Sequence, residues 1–287
     1  MTATVRWLRA ALVVAGWLPL PLLHGLGTLA GALAWVRNGR SRHRAEANLA
    51  KVMTHESAEI RHVTARAALG ETGKALFETA AIWGRGPRRA LKLVRDVRGE
   101  AWLSRAEAAG RGLIVAAPHL GCWELLNYWL AARRSLAIVY RPPRLSSLEP
   151  LLLDVRGAAG VEQVRATGAG VRTLYRRLAA GGTVGILPDQ RPRAGEGVLA
   201  PFFGVPTLTM VLVSRLAQRT GAAVVFAFAE RLPHGAGFRL HFRAAPDGIA
   251  DADLGTACTA LNRGIELCVR DAFEQYQWTY RRFPDTP

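Results

Sequence analysis

Apolar and polar positions divide the chain into three stretches. From Ala10 to Val36 there is no Asp, Glu, Lys or Arg, an apolar run of 27 residues. As one continuous helix it would reach about 40 Å at roughly 1.5 Å per residue, and a hydrocarbon core needs only about 20 residues. Pro19 and Pro21 interrupt the run, so one bent span and two short helices hinged at the prolines both fit. Residues 45 to 95 predict helix: they are rich in Ala, Leu and Glu, hold no proline before Pro87, and space their apolar positions helically. Beyond them, apolar runs expected as strands fall at 112–117, 136–140, 183–187, 222–229 and 237–242. Helical stretches are expected between them, at 121–132, 147–158, 170–180, 208–219 and 254–274. This alternation predicts an α/β fold, a central mixed or mostly parallel sheet covered by helices. With no internal repeat or low-complexity linker, residues 1–36 are expected to anchor one domain spanning 37–287.

Charge changes the picture at the N-terminus first. Arg6 and Arg9 precede the apolar run, and Arg37, Arg40, Arg42 and Arg44 follow it. The heavier cluster on the C-terminal side predicts that the rest of the chain stays cytoplasmic, with Trp7, Trp17 and Trp35 at the headgroup level. A cleaved signal peptide would have a shorter apolar core and lead into a soluble mature sequence; this run is long and ends in four arginines. Membrane attachment is therefore expected.

Over the whole chain, 38 Lys and Arg face 22 Asp and Glu, a net charge of +16. That surplus favours anionic partners such as phospholipid surfaces, phosphorylated glycans or acidic proteins. With 50% apolar and 21% charged residues the chain can fill a core, which excludes a mainly disordered protein. Cys122, Cys258 and Cys268 are too few and scattered for a disulfide framework or a zinc site, which fits a reducing compartment. No zinc finger, basic dimeric helix or RNP-like strand is present, so a nucleic-acid partner is not expected.

The segment richest in chemistry runs from Gly112 through Pro118-His119-Leu120-Gly121-Cys122-Trp123-Glu124 to Leu126. An apolar strand ends at Pro118, which puts His119 at a strand's C-terminal edge, where α/β sheets form their ligand crevices. Gly121 lets the chain reverse, and the following helical turn is expected to bring Glu124 back to the imidazole. A carboxylate there would fix the tautomer of His119 and stabilise its protonated form. The plain alternative is a histidine held near a helix start, with Glu124 favourable at the helix N-terminus. No Gly-x-Ser-x-Gly elbow, Walker loop, dinucleotide fingerprint or His-Glu-x-x-His occurs. A base without a protein nucleophile suggests direct transfer to a substrate hydroxyl.

His119 and Glu124 after an apolar strand resemble the His-x-x-x-x-Asp/Glu box of glycerolipid-type acyltransferases. The fit is best to the lipid A biosynthesis late acyltransferases, the lauroyl and myristoyl transferases of Gram-negative bacteria. Further segments agree in order: Tyr140-Arg141-Pro142, Arg156-Gly157, Leu187-Pro188-Asp189-Gln190, Pro201-Phe202-Phe203-Gly204 and the tail from Glu274 to Phe283. The resemblance covers nearly the whole chain. It implies a glycerolipid-acyltransferase-like fold, with His119 as general base and Glu124 orienting it. Arg156 best matches the family's arginine, with Arg165 a nearby competitor. Asp189 would hold an arginine or line the acceptor site. Gly204 and Thr207 fall in the segment resembling the acceptor-binding box, and oxyanion donors would come from N–H groups near Gly121 or from Arg156.

The implied reaction moves a fatty acyl chain from acyl carrier protein to a hydroxyl of an anionic lipid A precursor. It would take place at the cytoplasmic face of the inner membrane, with no metal or cofactor beyond the thioester donor. After Pro188-Asp189 the chain departs from the better-known enterobacterial members with Gln190-Arg191-Pro192. Two rival activities use the same pair: acyl transfer to another membrane lipid, and thioester hydrolysis. A basic membrane scaffold or nucleic-acid binder is the rival without acyl chemistry.

Overall fold

The computed structural model describes residues 3–143, 145–193 and 195–284. Helices α1 (Ala3–Gly16), α2 (Leu20–Val36), α3 (Arg40–Val52) and α4 (Ala58–Thr79) open the chain, followed by one π-helical turn over Ala80–Gly84 and α5 (Pro87–Ala90). Then come β1 (Val94–Arg98), α6 (Glu100–Ala108), β2 (Leu113–Ala116), α7 (Trp123–Ala131), β3 (Leu136–Tyr140), α8 (Glu149–Gly157), β4 (Glu162–Arg165), α9 (Gly168–Ala179) and β5 (Thr183–Ile186). The hairpin β6 (Gly197–Phe202) and β7 (Val205–Met210), α10 (Leu212–Thr220), β8 (Ala223–Arg231), β9 (Phe238–Ala244) and α11 (Leu254–Asp271) complete the fold.

Seven strands form the central sheet in the order β1-β9-β8-β2-β5-β3-β4. Every pairing is parallel except β8 with β9. Ile114 and Ala116 of β2 point into one apolar layer with α9, α10 and α11, while Leu113 and Val115 point into another with α6 and α7. Burial on both faces explains why β2, β5 and β8 read as continuous apolar runs rather than alternating ones. The α/β architecture with a mostly parallel sheet is the one the alternation predicted.

Three expectations change. The stretch at 208–219 does not begin as helix: residues 205–210 are strand β7, with Thr207 and Thr209 pointing inward in a period of two. The helical block at 45–95 ends early, because Val94–Arg98 add β1 to the sheet edge beside β9. The third change concerns the membrane anchor. Among the described residues no single helix is long and apolar enough to cross a bilayer; Val5–Gly16 and Leu20–Val36 would have to cross together, bent by 116° at the prolines.

Helix α2 instead uses one face against the protein. Leu20, Leu23, His24, Gly27, Gly31 and Trp35 are buried, at helical spacing, while Leu22, Leu26, Leu29, Leu33 and Val36 stay exposed. The α2–α4 contact is backbone to backbone. A Cβ on Gly73 would lie 2.0 Å from the carbonyl oxygen of Gly27, so a side chain at this crossing would force the helices apart.

Candidate active site

Strands β2 and β5 are neighbours in parallel, so both end at the same edge of the sheet. The chain leaves β2 through Pro118 to His119 and leaves β5 through Pro188 to Asp189. Residues 70 apart in sequence thereby meet: His119 Nδ1 lies 2.8 Å from Asp189 Oδ1, and the His119 backbone N–H donates to Asp189 Oδ2 at 3.0 Å. The Asp189 side chain is 3% exposed and that of His119 14%. Burial alone would raise the Asp189 carboxyl, but the facing imidazole and the two hydrogen bonds offset this and hold it below the usual carboxylate range. A carboxylate only accepts, so in the neutral ring the proton sits on Nδ1 and Nε2 keeps its lone pair. The edge of the imidazole packs on Trp123, with ring centroids 5.1 Å apart.

The carboxylate on His119 is therefore that of Asp189, and the expectation that Glu124 orients the imidazole is corrected. Helix α7 begins at Trp123, which puts Glu124 in its first turn, on the side facing α8. There Arg156 grips it with two prongs, Nη2 to Oε1 at 2.5 Å and Nε to Oε2 at 3.2 Å. Burial opposes the Arg156 charge, but Glu124 overrides it and keeps the guanidinium firmly protonated. Of the two candidate arginines, Arg156 lines the cleft at His119. Arg165 turns outward to Tyr140 Oη at 3.1 Å and Glu149 Oε1 at 2.7 Å.

Gly121 sits between the two carboxylates at φ +60°, where a Cβ would lie 1.9 Å from the carbonyl oxygen of Ala229. Only glycine fits a chain that both turns left-handed and touches the neighbouring strand. The tail holds this loop from the other side: Gln275 O accepts from the Gly121 N–H at 3.3 Å, and the Gln277 N–H donates to His119 O at 3.1 Å. The Gly121 carbonyl accepts from Arg231 Nη2 at 2.9 Å. Arg231 in turn meets the buried Glu78 at 2.6 and 2.8 Å, and His24 of α2 lies 3.2 Å from the same carboxylate. Burial would raise Glu78, but Arg231 and His24 together hold it below its ordinary value.

Two clefts meet at His119. One, of about 440 Å³, is mainly apolar and runs between α2 and α4 past Ala30, Gly31, Leu69 and Leu76. The other, of about 420 Å³, is the more polar of the two, with Glu124, Arg141, Arg156, Gln190 and Arg191 set among apolar walls. Gly204 and Thr207 line neither. Gly204, at φ +77°, follows Phe203 at φ +48° in the two-residue turn of the β6–β7 hairpin, and the buried Thr207 hydroxyl donates to Val205 O at 2.8 Å. In the tail, Trp278, Arg282 and Phe283 are buried, with Arg282 bonded to Leu208 O and Asn262 Oδ1. Among the described residues no cluster of His, Cys, Asp and Glu could hold a metal ion. The Arg231–Glu78–His24 web escaped sequence reasoning. Its members lie in three elements far apart in the chain, and nothing in their local sequence links them.

A histidine on a buried carboxylate, at the mouth of an apolar cleft on a mostly parallel sheet, fits the class of acyl-transferring α/β enzymes. Residues 1–284 match the family described as bacterial lipid A biosynthesis acyltransferase, and the chain belongs to that family. It is 30% identical to the lipid A biosynthesis palmitoleoyltransferase of Escherichia coli (strain K12), over 94% of this chain and 87% of that one. To the lauroyltransferase of the same organism it is 26% identical, over 94% and 88%. It is also 29% identical to a phosphatidylinositol mannoside acyltransferase of Mycobacterium tuberculosis, over 74% and 69%.

Proposed function

We propose that the enzyme moves a fatty acyl chain from acyl carrier protein to a hydroxyl of a lipid A precursor, forming an acyloxyacyl group. The observation that carries this reading is His119, whose Nδ1 is tied to Asp189 and whose ring lines both clefts. An aliphatic hydroxyl is a poor nucleophile, while a thioester is already activated, so removing the hydroxyl proton is the main chemical task. His119 Nε2 takes that proton as the carbon–oxygen bond forms, a contribution of about 10²–10⁴ in rate. Asp189 keeps the proton on Nδ1 and stabilises the imidazolium. Arg156, fixed by Glu124, offers a permanent positive charge in the polar cleft for an anionic substrate group. The +16 surplus suits both an acidic carrier protein and a phosphorylated acceptor on an anionic membrane.

The N-terminal helices embed in the cytoplasmic face of the inner membrane rather than cross it. Trp7, Trp17, Leu22, Leu29, Leu33 and Val36 supply the exposed apolar surface, with Arg37, Arg40, Arg42 and Arg44 next to it. The test is an assay of the purified protein in detergent, with carrier-protein thioesters of about 10 to 16 carbons, with and without a phosphorylated lipid A precursor. An acceptor-dependent mass gain of one acyl chain, absent in His119→Ala, is the expected result. Free fatty acid formed equally without acceptor would mean a thioesterase instead. Another membrane lipid as acceptor is the second reading, favoured by the likeness to the mycobacterial phosphatidylinositol mannoside acyltransferase, so an inositol glycolipid belongs in the same assay.

A further inference from the structure

Gln190 stands on the reacting atom itself. Its side-chain amide nitrogen lies 3.2 Å from His119 Nε2, inside the polar cleft. With the Nδ1 proton committed to Asp189, Nε2 presents a lone pair, which attracts an amide N–H and repels an amide oxygen. The hydrogen-bonding pattern therefore turns the NH₂ end of Gln190 toward the ring. A hydroxyl that is to lose its proton to Nε2 must come within about 3 Å of it. The Gln190 nitrogen now occupies that place.

From His119 to Cys122 the backbone N–H groups around the base are already engaged, which leaves those of Trp123 and Glu124 at the start of α7. His119 N–H donates to Asp189 Oδ2 at 3.0 Å and Leu120 N–H to Pro118 O at 2.7 Å. Gly121 N–H donates to Gln275 O at 3.3 Å and Cys122 N–H to Ala229 O at 2.8 Å. The donors expected near Gly121 thus hold the loop in place instead. Two nitrogens of Arg156 are engaged by Glu124. Besides those two amides, the neutral side chain of Gln190 brings a donor within 3.2 Å of His119 Nε2 itself.

We propose that Gln190 is a catalytic residue whose amide vacates Nε2 when the acceptor hydroxyl arrives and then donates an N–H to the tetrahedral oxyanion. The inference rests on the acyl-transfer reading above. The hydroxyl oxygen bonds to the thioester carbon while its proton passes to Nε2, and the carbonyl π pair moves onto oxygen, where the amide meets it. Collapse of the adduct breaks the carbon–sulfur bond. The Nε2 proton leaves with the thiolate, so the imidazole returns to neutral and no further reactant is required. Gln190 closes back on Nε2 once the ester departs.

The test compares Gln190→Leu, which keeps the bulk and removes both donors, with Gln190→Glu, whose ionised carboxylate cannot donate, and with His119→Ala. Turnover at saturating thioester and acceptor is expected to fall about a hundredfold in both Gln190 variants, the usual scale for one oxyanion donor. A second readout needs no catalysis: reaction of His119 with diethyl pyrocarbonate, followed on its own peptide by mass, is expected to quicken in Gln190→Leu because the lone pair is freed. Turnover of Gln190→Leu within about twofold of the unaltered enzyme, with His119→Ala inactive, would overturn the role of Gln190 and leave the base standing. Unchanged carbethoxylation would show that the amide does not guard Nε2 and would overturn the proposal as well. Full turnover in His119→Ala would instead remove the acyl-transfer reading itself.

Discussion

Two carboxylates lie on either side of the same loop, and they hold different kinds of cation. Asp189 faces an imidazole, a group able to take up and release a proton; Glu124 faces a guanidinium, whose charge is permanent. The first pair can move a proton. The second can only present a fixed charge and a fixed shape. Spacing along the chain favoured the nearer acid for the histidine, and the fold chose the one that arrives on the adjacent strand.

The sharpest way to break this contrast is to strip the imidazole of its partner. Asp189→Asn is expected to lower the transfer rate by about 10³–10⁴ while the protein stays folded, because an amide no longer selects the productive tautomer. His119→Ala should lose at least about 10². Retention of activity in Asp189→Asn beside loss in Glu124→Gln, read in the same acyl-transfer assay, would reverse the assignment of the two acids.

Glu124→Ala should register first as instability, since it leaves the Arg156 charge buried and unpaired; about 3–5 kcal/mol is the scale for breaking such a pair. Urea unfolding in detergent measures it. Removing Arg156 as well should recover part of the loss, and additive losses in that double mutant would show that the two side chains do not act as a pair.

A smaller effect follows from acid. Asp189 and Glu78 are both held below their ordinary values in the folded protein, so the unfolded chain takes up protons first as pH falls. Their stabilising contribution is complete above about pH 5, begins to fall as the unfolded carboxyls protonate, and drains away as the pH drops through their lower folded values. Glu78→Gln should flatten the fall in melting temperature over that window. The smallest expected change is at Arg165, whose guanidinium is largely exposed where it pairs with Glu149 and is screened by solvent. Arg165→Ala should keep transfer within about twofold, and a large loss would move the cleft's key cation from Arg156 to Arg165.

Much of this site was legible in the linear chain. The apolar run to Pro118, the histidine after it and the glycine turn read directly as strand, edge residue and helix start. Asp189 was equally visible at the end of a second apolar run. That β5 lies beside β2 was not visible, because β3, β4 and their helices are inserted between them in sequence and packed outside them in space. The direction of Glu124 depends on α7 starting at Trp123, and moving that start by one residue would rotate the side chain by about 100°. In α2 the buried stripe of Leu20, Leu23, Gly27 and Gly31 was hidden because the exposed face is as apolar as the buried one.

The glycine contact between α2 and α4 bears on how this enzyme can be handled in the laboratory. Trimming the first 36 residues to obtain a water-soluble fragment looks attractive on hydropathy alone. It would uncover the flank of α4 around Gly73 and withdraw His24 from Glu78, leaving a raw seam behind the His119 loop. A shortened chain should therefore precipitate or misfold. Solubility is better sought by replacing Leu22, Leu29 and Leu33 on the outward face, which leaves the seam closed.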